Sequence, residues 1–123
     1  MRSRRQSSRR PDQVAATVRQ AVTDALIRGE VRDPRVGLLT VTDVRVTNDL
    51  GHARVLVALS GDEAERQRAL EGLQSAAGFL RTKVARLLST RTVPELHFEL
   101  DRGLEHAARI ETLLGELKRG PAD

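Results

Sequence analysis

Arg81, Lys83, Arg86 and Arg91 fall within the stretch from Gly72 to Pro94, which holds no Asp or Glu. In a chain whose residues are 31% charged, with the two signs otherwise interleaved, a one-signed window of this length points to a polyanion. A second group of cations, Arg2, Arg4, Arg5, Arg9 and Arg10, opens the chain and leaves the remainder slightly acidic. Concentrated positive charge of this kind favours a defined phosphate footprint, because each neutralised phosphate releases condensed counterions. The chain carries 19 Arg to 2 Lys, which suits bidentate phosphate contacts. Codon bias in a GC-rich genome explains that ratio equally well, but not where the charges sit.

Other chemistry has weaker support. His52, His97 and His106 are far apart in sequence and none stands in an HxxxH or HExxH spacing, so no metal site is expected. The absence of cysteine excludes a thiolate site and a disulfide framework, and fits a reducing cytoplasm. His97 and Glu99 share a strand face and form an acid/base pair on paper. No glycine-rich phosphate loop, nucleophile elbow or carboxylate cluster accompanies them, so a hydrolase or nuclease is not expected, nor any cofactor. With Phe79 and Phe98 the only rings besides the histidines, base stacking is not the expected mode of binding either.

The elements that must position these residues follow from periodicity. At 123 residues the chain is one domain with a modest aliphatic core. Residues 1–10 lack apolar periodicity and read as a flexible basic arm. A helix opens at Pro11 and Asp12, with Val14, Val18, Val22 and Leu26 on one stripe that stops at Gly29. Two β-rich runs, 36–47 and 52–60, flank the turn Asn48-Asp49-Leu50-Gly51 and form a hairpin, with a bulge near Thr42 and Asp43 where the alternation changes phase. Asp62 and Glu65 have capping-box spacing. Leu70, Leu73, Ala77, Leu80, Val84, Leu87 and Leu88 then hold one helical face through Gly78, which predicts a kink there. Glu95 to Leu100 alternates as a third strand, with Leu96, Phe98 and Leu100 inward. A terminal helix runs to Leu117, and a polar tail occupies 118–123.

The expected architecture is therefore α+β: a three-stranded sheet covered by helices on one face. Its other face, bearing Asp43, Arg45, Arg54, Glu95, His97 and Glu99, is solvated. No apolar run approaches the roughly 20 residues of a membrane span, and no secretory signal is evident.

The blocks from Asp33 to Asp62, Leu70 to Arg81, Val93 to Asp101 and Ala108 to Leu114 resemble, in order and spacing, the bacterial ribosome-binding factor A family. The resemblance spans about Pro11 to Leu114. It implies a KH-type II domain, here residues 11–117, with order α-β-β-α(kink)α-β and a short C-terminal helix on a mixed sheet. The usual Gly-x-x-Gly loop, absent from this chain, is replaced in that family by an Ala-x-Gly kink, matched by Ala76-Ala77-Gly78. It further implies a non-catalytic assembly factor in the cytoplasm, binding the small ribosomal subunit and its 16S-type rRNA late in maturation, important in the cold and released before translation. A maturation GTPase or an initiation factor is a further candidate partner.

On this reading Arg81, Lys83, Arg86, Arg91, Arg4, Arg5, Arg9 and Arg10 meet RNA, aided by free N–H groups at the start of the second kinked helix. Plainer readings stand beside it. Gly78 can serve close packing, the helix cations can form an ordinary solvated face, Arg91 can neutralise helix-end carbonyls, and the arm can be a solubilising tail. The competing functional class is a general RNA-binding or protein-interaction module that uses the exposed sheet face. A monomer is the default state.

Overall fold

The structure, a computed structural model, describes the backbone of residues 2–119 and the side chains of residues 10–103 and 110–117. Its first element, α1 (Arg2–Ile27), carries the apolar stripe: Val14, Val18, Ala21, Val22 and Ala25 are buried. The helix begins nine residues before Pro11, where the sequence pattern opens it, and runs through that proline. Periodicity starts only at Val14, so the preceding turns have no apolar face by which sequence could mark them as helical. At the other end Gly29, with φ 68°, closes the helix. Its N–H donates to Leu26 O at 3.1 Å and the Glu30 N–H to Ala25 O at 2.9 Å, the paired bonds of a Schellman ending.

The hairpin is β1 (Leu39–Val46) and β2 (His52–Leu59), antiparallel, with Val44 opposite Val55. The expected bulge is present between Val41 and Asp43. It re-aims Thr42, whose hydroxyl donates to Asp101 Oδ2 at 2.6 Å and so ties β1 to the end of β3 (Glu95–Leu100). That third strand has the predicted bounds and lies parallel to β2, with Phe98 opposite Val55. The sheet order is β1-β2-β3. Parallel neighbours need a crossover, supplied by α2 (Glu63–Ser75) and α3 (Ala77–Leu87). A helix on the same face as α1, α3 buries Leu80 and Val84 against the core. From α2, Gln74 reaches β3: its amide nitrogen donates to Leu96 O at 3.0 Å and its oxygen accepts from the Phe98 N–H at 3.1 Å. One side chain thereby pairs backbone groups on the otherwise open edge of the sheet.

The core is aliphatic, as composition demands, with Val18, Val22, Val55, Val57, Leu73 and Leu80 fully buried. The last element, α4 (Gly103–Arg119), differs from the other helices. Its Ile110, Leu113, Leu114 and Leu117 are exposed, so this described part of the apolar stripe visible in sequence is not part of the core.

Candidate nucleic-acid interface

The Asp62 cap starts α2 with both halves of the predicted box: the Glu65 N–H donates to Asp62 Oδ1 at 2.8 Å and the Asp62 N–H to Glu65 Oε1 at 3.1 Å. The helix ends at Ala76, and there the direction changes. Ala76 has φ −87° and ψ 0°, against ψ near −42° in a regular helix. Its N–H turns back onto Gly72 O and Leu73 O, closing α2, while its own carbonyl accepts from the Leu80 N–H at 2.9 Å and opens α3. The break therefore lies at the first residue of the Ala76-Ala77-Gly78 trio, two positions before the glycine to which the sequence pattern points. Gly78 sits in the first turn of α3, exposed, and a Cβ there would meet nothing within 4 Å, which removes the packing reading.

The glycine that packing requires is Gly72. A Cβ on it would stand 2.8 Å from Val36 Cγ2, 3.2 Å from Asp33 Cγ and 3.3 Å from Arg35 Cβ. The absence of a side chain lets α2 lie against the Asp33–Val36 turn. That turn is fixed by the Asp33 carboxylate, which accepts from the Arg35 N–H at 2.9 Å and from its guanidinium at 2.6 Å. Those bonds, the side-chain one first, hold the Asp33 pKa down to about 2.

Among the described residues no side chain caps α3; the N–H groups of a helix's first turn have no acceptor within that helix and carry the positive end of its dipole. Along α3 the structure gathers cations from two helices and a loop, with Lys83 and Arg86 in the helix's C-terminal half and Arg32 beside its start. A groove of about 250 Å³ between α1 and α3 is lined by Arg28, Lys83 and Arg86, with Asp24 and Glu30 opposite and Leu87 at its edge. Beside it, a shallow pocket of about 240 Å³ at the break brings in Arg32, Ala76 and Phe79.

The predicted binding residues divide by what they touch. Arg81 donates to Val93 O at 2.8 Å and clamps the loop that leads into β3. Lys83 pairs with Glu30 at 2.5 Å and lies 5.4 Å above the Phe79 ring. The Lys83 hydrogen bond is the largest cause of the lowered Glu30 pKa, with Arg28 and Arg86 adding to it. The side chains of Arg86 and Arg91 are exposed and make no hydrogen bond or ion pair among the described residues. Arg10 is exposed on α1, and the side chains of Arg4, Arg5 and Arg9 lie outside the described residues.

Sequence reasoning missed Arg28 and Arg32, which are exposed and likewise make no hydrogen bond or ion pair among the described residues. They stand some fifty positions before Arg86, and only the packing of α1 on α3 brings them to the same surface. It also missed Phe79, 44% exposed beside the break, because a lone ring in a helix carries no periodic signal.

The opposite face of the sheet is different. Arg54 is held by Glu99 through two bonds of 2.7 and 2.9 Å, and Arg45 by Asp43 at 2.9 Å. Its cations are neutralised within the molecule. His52 and His97, distant in sequence, meet there at 3.0 Å.

An α-β-β-α-α-β order on a mixed three-stranded sheet, with the helix break in the crossover, is the arrangement of a type II KH domain. Residues 10–114 match the family model described as ribosome-binding factor A, and the chain belongs to that family. It is 42% identical over 110 residues to ribosome-binding factor A of Desulforamulus reducens, covering 89% of this chain and 91% of the relative. To that of Thermomicrobium roseum it is 50% identical over 95 residues, 77% of this chain and 74% of the relative. Among solved structures, it superposes on the crystal structure of ribosome-binding factor A from Thermus thermophilus with a TM-score of 0.61 at 30% identity, covering 73% of this chain and 94% of the other. It is also similar, with a TM-score of 0.56 at 30% identity over 72% of this chain and 91% of the other, to a homology model of the Thermus thermophilus factor fitted into the cryo-EM map of its 30S complex.

Proposed function

We infer that this chain is a non-catalytic ribosome assembly factor of the cytoplasm that binds the RNA of the small ribosomal subunit late in its maturation, acts chiefly in the cold, and leaves before translation. The observation that carries this reading is the asymmetry of charge. Arg28, Arg32, Arg86 and Arg91, which make no hydrogen bond or ion pair among the described residues, stand on the helical side along α3, from Arg32 beside its start to Arg86 in its last turn and Arg91 beyond its end, whereas Arg45 and Arg54 on the sheet face are matched by Asp43 and Glu99. A helix start without a side-chain cap among the described residues, with Arg32 beside it and further guanidinium groups along the helix, suits phosphates in a folded RNA. The Thermus thermophilus relative seen in a 30S complex supports the choice of that RNA.

Arg86 and Arg91 contact phosphate directly. Arg81 and Lys83 shape the surface, since each already has a partner within the protein. The arm residues Arg4, Arg5, Arg9 and Arg10 extend the footprint along the RNA. The protein acts as a monomer, and its removal falls to a maturation GTPase or an initiation factor.

Co-sedimentation with separated ribosomal subunits over a salt series, beside naked RNA of matched composition, tests the reading. The expected result is salt-sensitive retention on small subunits that is lost in R86E/R91E. Equal retention on every RNA would reduce the protein to a general basic binder. Retention that survived the helix substitutions and failed in R45E/R54E would transfer the function to the sheet face.

A further inference from the structure

On the sheet face away from the helices, parallel pairing sets His52 beside Glu95 and Arg54 beside His97. Residues 52, 95 and 97 share one side of the pleat, so their side chains converge at the starts of β2 and β3. His52 Nδ1 lies 3.0 Å from His97 Nε2. Glu95 Oε2 lies 3.8 Å from the first and 3.9 Å from the second, too far to hydrogen-bond with either yet almost equally spaced from both.

A point equidistant from these three atoms is about 2.1 Å from each, the length of a zinc–nitrogen or zinc–carboxylate bond. The surrounding charge is compatible with a cation. Arg54 and Arg45 are engaged by Glu99 and Asp43. On the other side Asp49 interacts electrostatically with His52, its carboxylate held low mainly by the Thr47 hydroxyl and the Gly51 N–H.

We propose that His52, Glu95 and His97 form a binding site for a divalent ion of the zinc class on the open face of the sheet. Two imidazoles and one carboxylate match that ion's preference for nitrogen and oxygen ligands. Three protein ligands on an exposed surface leave the remaining coordination to water or to a donor from a docked molecule. Bound there, the ion joins the first residues of β2 and β3, neighbouring strands that no tight turn links. The site is separate from the cationic groove, which lies on the helical side.

The test uses the full chain, stripped with a chelator and titrated with Zn²⁺ near neutral pH. The chain has three histidines, so their ring resonances in a proton–carbon NMR spectrum can be resolved and assigned. Saturable binding of one ion is expected, with the signals of His52 and His97 shifting and that of His106 unchanged. By calorimetry, H52A and H97A each weaken binding about tenfold or more, while H106A binds as the parent does. The tenfold figure is a floor, since loss of supporting groups around a metal ligand already costs that much. His52 and His97 lie on the surface, and circular dichroism confirms that each variant is folded. No saturable binding, or binding unaffected by H52A and H97A, would overturn the proposal and leave the two rings as a hydrogen-bonded pair. Loss of binding in H106A alone would overturn it equally.

Discussion

Two glycines in the crossover helices look alike in sequence, each an interior break in a helical pattern, and contact distinguishes them. At Gly72 an added methyl meets Val36 Cγ2 at 2.8 Å and the backbone-anchored Asp33–Val36 turn behind it. Overpacking at such a point costs about 1–3 kcal/mol, so Gly72→Ala is expected to lower the unfolding free energy by that amount in urea denaturation. At Gly78 the methyl meets nothing, the residue is helical, and alanine relieves the cost of ordering a glycine backbone. Gly78→Ala is expected to raise stability by up to about 1 kcal/mol in the same titration. If the two variants changed stability alike, the contact argument would fail. Sequence reasoning favours Gly78 because family resemblance and nearby charge draw attention to it. Nothing in a single chain signals that residue 72 lies beneath a loop whose closest member is 36 positions away. Paired partners are hidden for the same reason: Lys83 with Glu30, Arg81 with Val93 and His52 with His97 are contacts between residues well separated along the chain.

Elements are more legible than contacts because periodicity is local. The alternation of Glu95 to Leu100 marks β3 to the residue, the phase change near Thr42 marks the bulge, and the Asp62/Glu65 spacing marks the start of α2. The opening turns of α1 offer no apolar period to read, and the apolar pattern of α4 gives no sign that Ile110, Leu113, Leu114 and Leu117 stay outside the core. Two predictions belong to these elements. Asp62→Ala removes the acceptor for the Glu65 N–H and is expected to cost about 1 kcal/mol in chemical denaturation. The Asp33 turn confers acid sensitivity. Because Asp33 titrates at about 2 in the folded protein, against an ordinary 3.8, its contribution is present above the unfolded value and is lost as pH falls toward 2. Comparing Asp33→Asn with the parent in thermal melts should show a Tm gap at about pH 6 that narrows between about pH 4 and pH 2. A gap constant across that interval would remove Asp33 from the pH response.

Across the whole molecule, the sheet acts as a divider between two kinds of surface. On one side the carboxylates are positioned to cancel the arginines, as Glu99 does for Arg54; on the other Arg28, Arg32, Arg86 and Arg91 make no hydrogen bond or ion pair among the described residues, and Glu30, which attracts Arg28 and Arg86 at longer range, is bonded to Lys83. Net charge alone, +4 over the chain, would not predict this separation. The separation can be measured through salt. Each phosphate contact contributes a slope of roughly 0.7–0.9 to the dependence of log affinity on log salt. R28E/R86E should therefore weaken binding to small subunits and flatten the salt dependence by about one to two units. R45E/R54E, which breaks pairs already satisfied within the protein, should leave the slope unchanged. Equal flattening by both pairs would mean that the field of the whole protein, and not a footprint on the helical side, attracts the RNA. The charge would then act as steering alone, changing the rate of encounter and its salt dependence without fixing where the subunit docks.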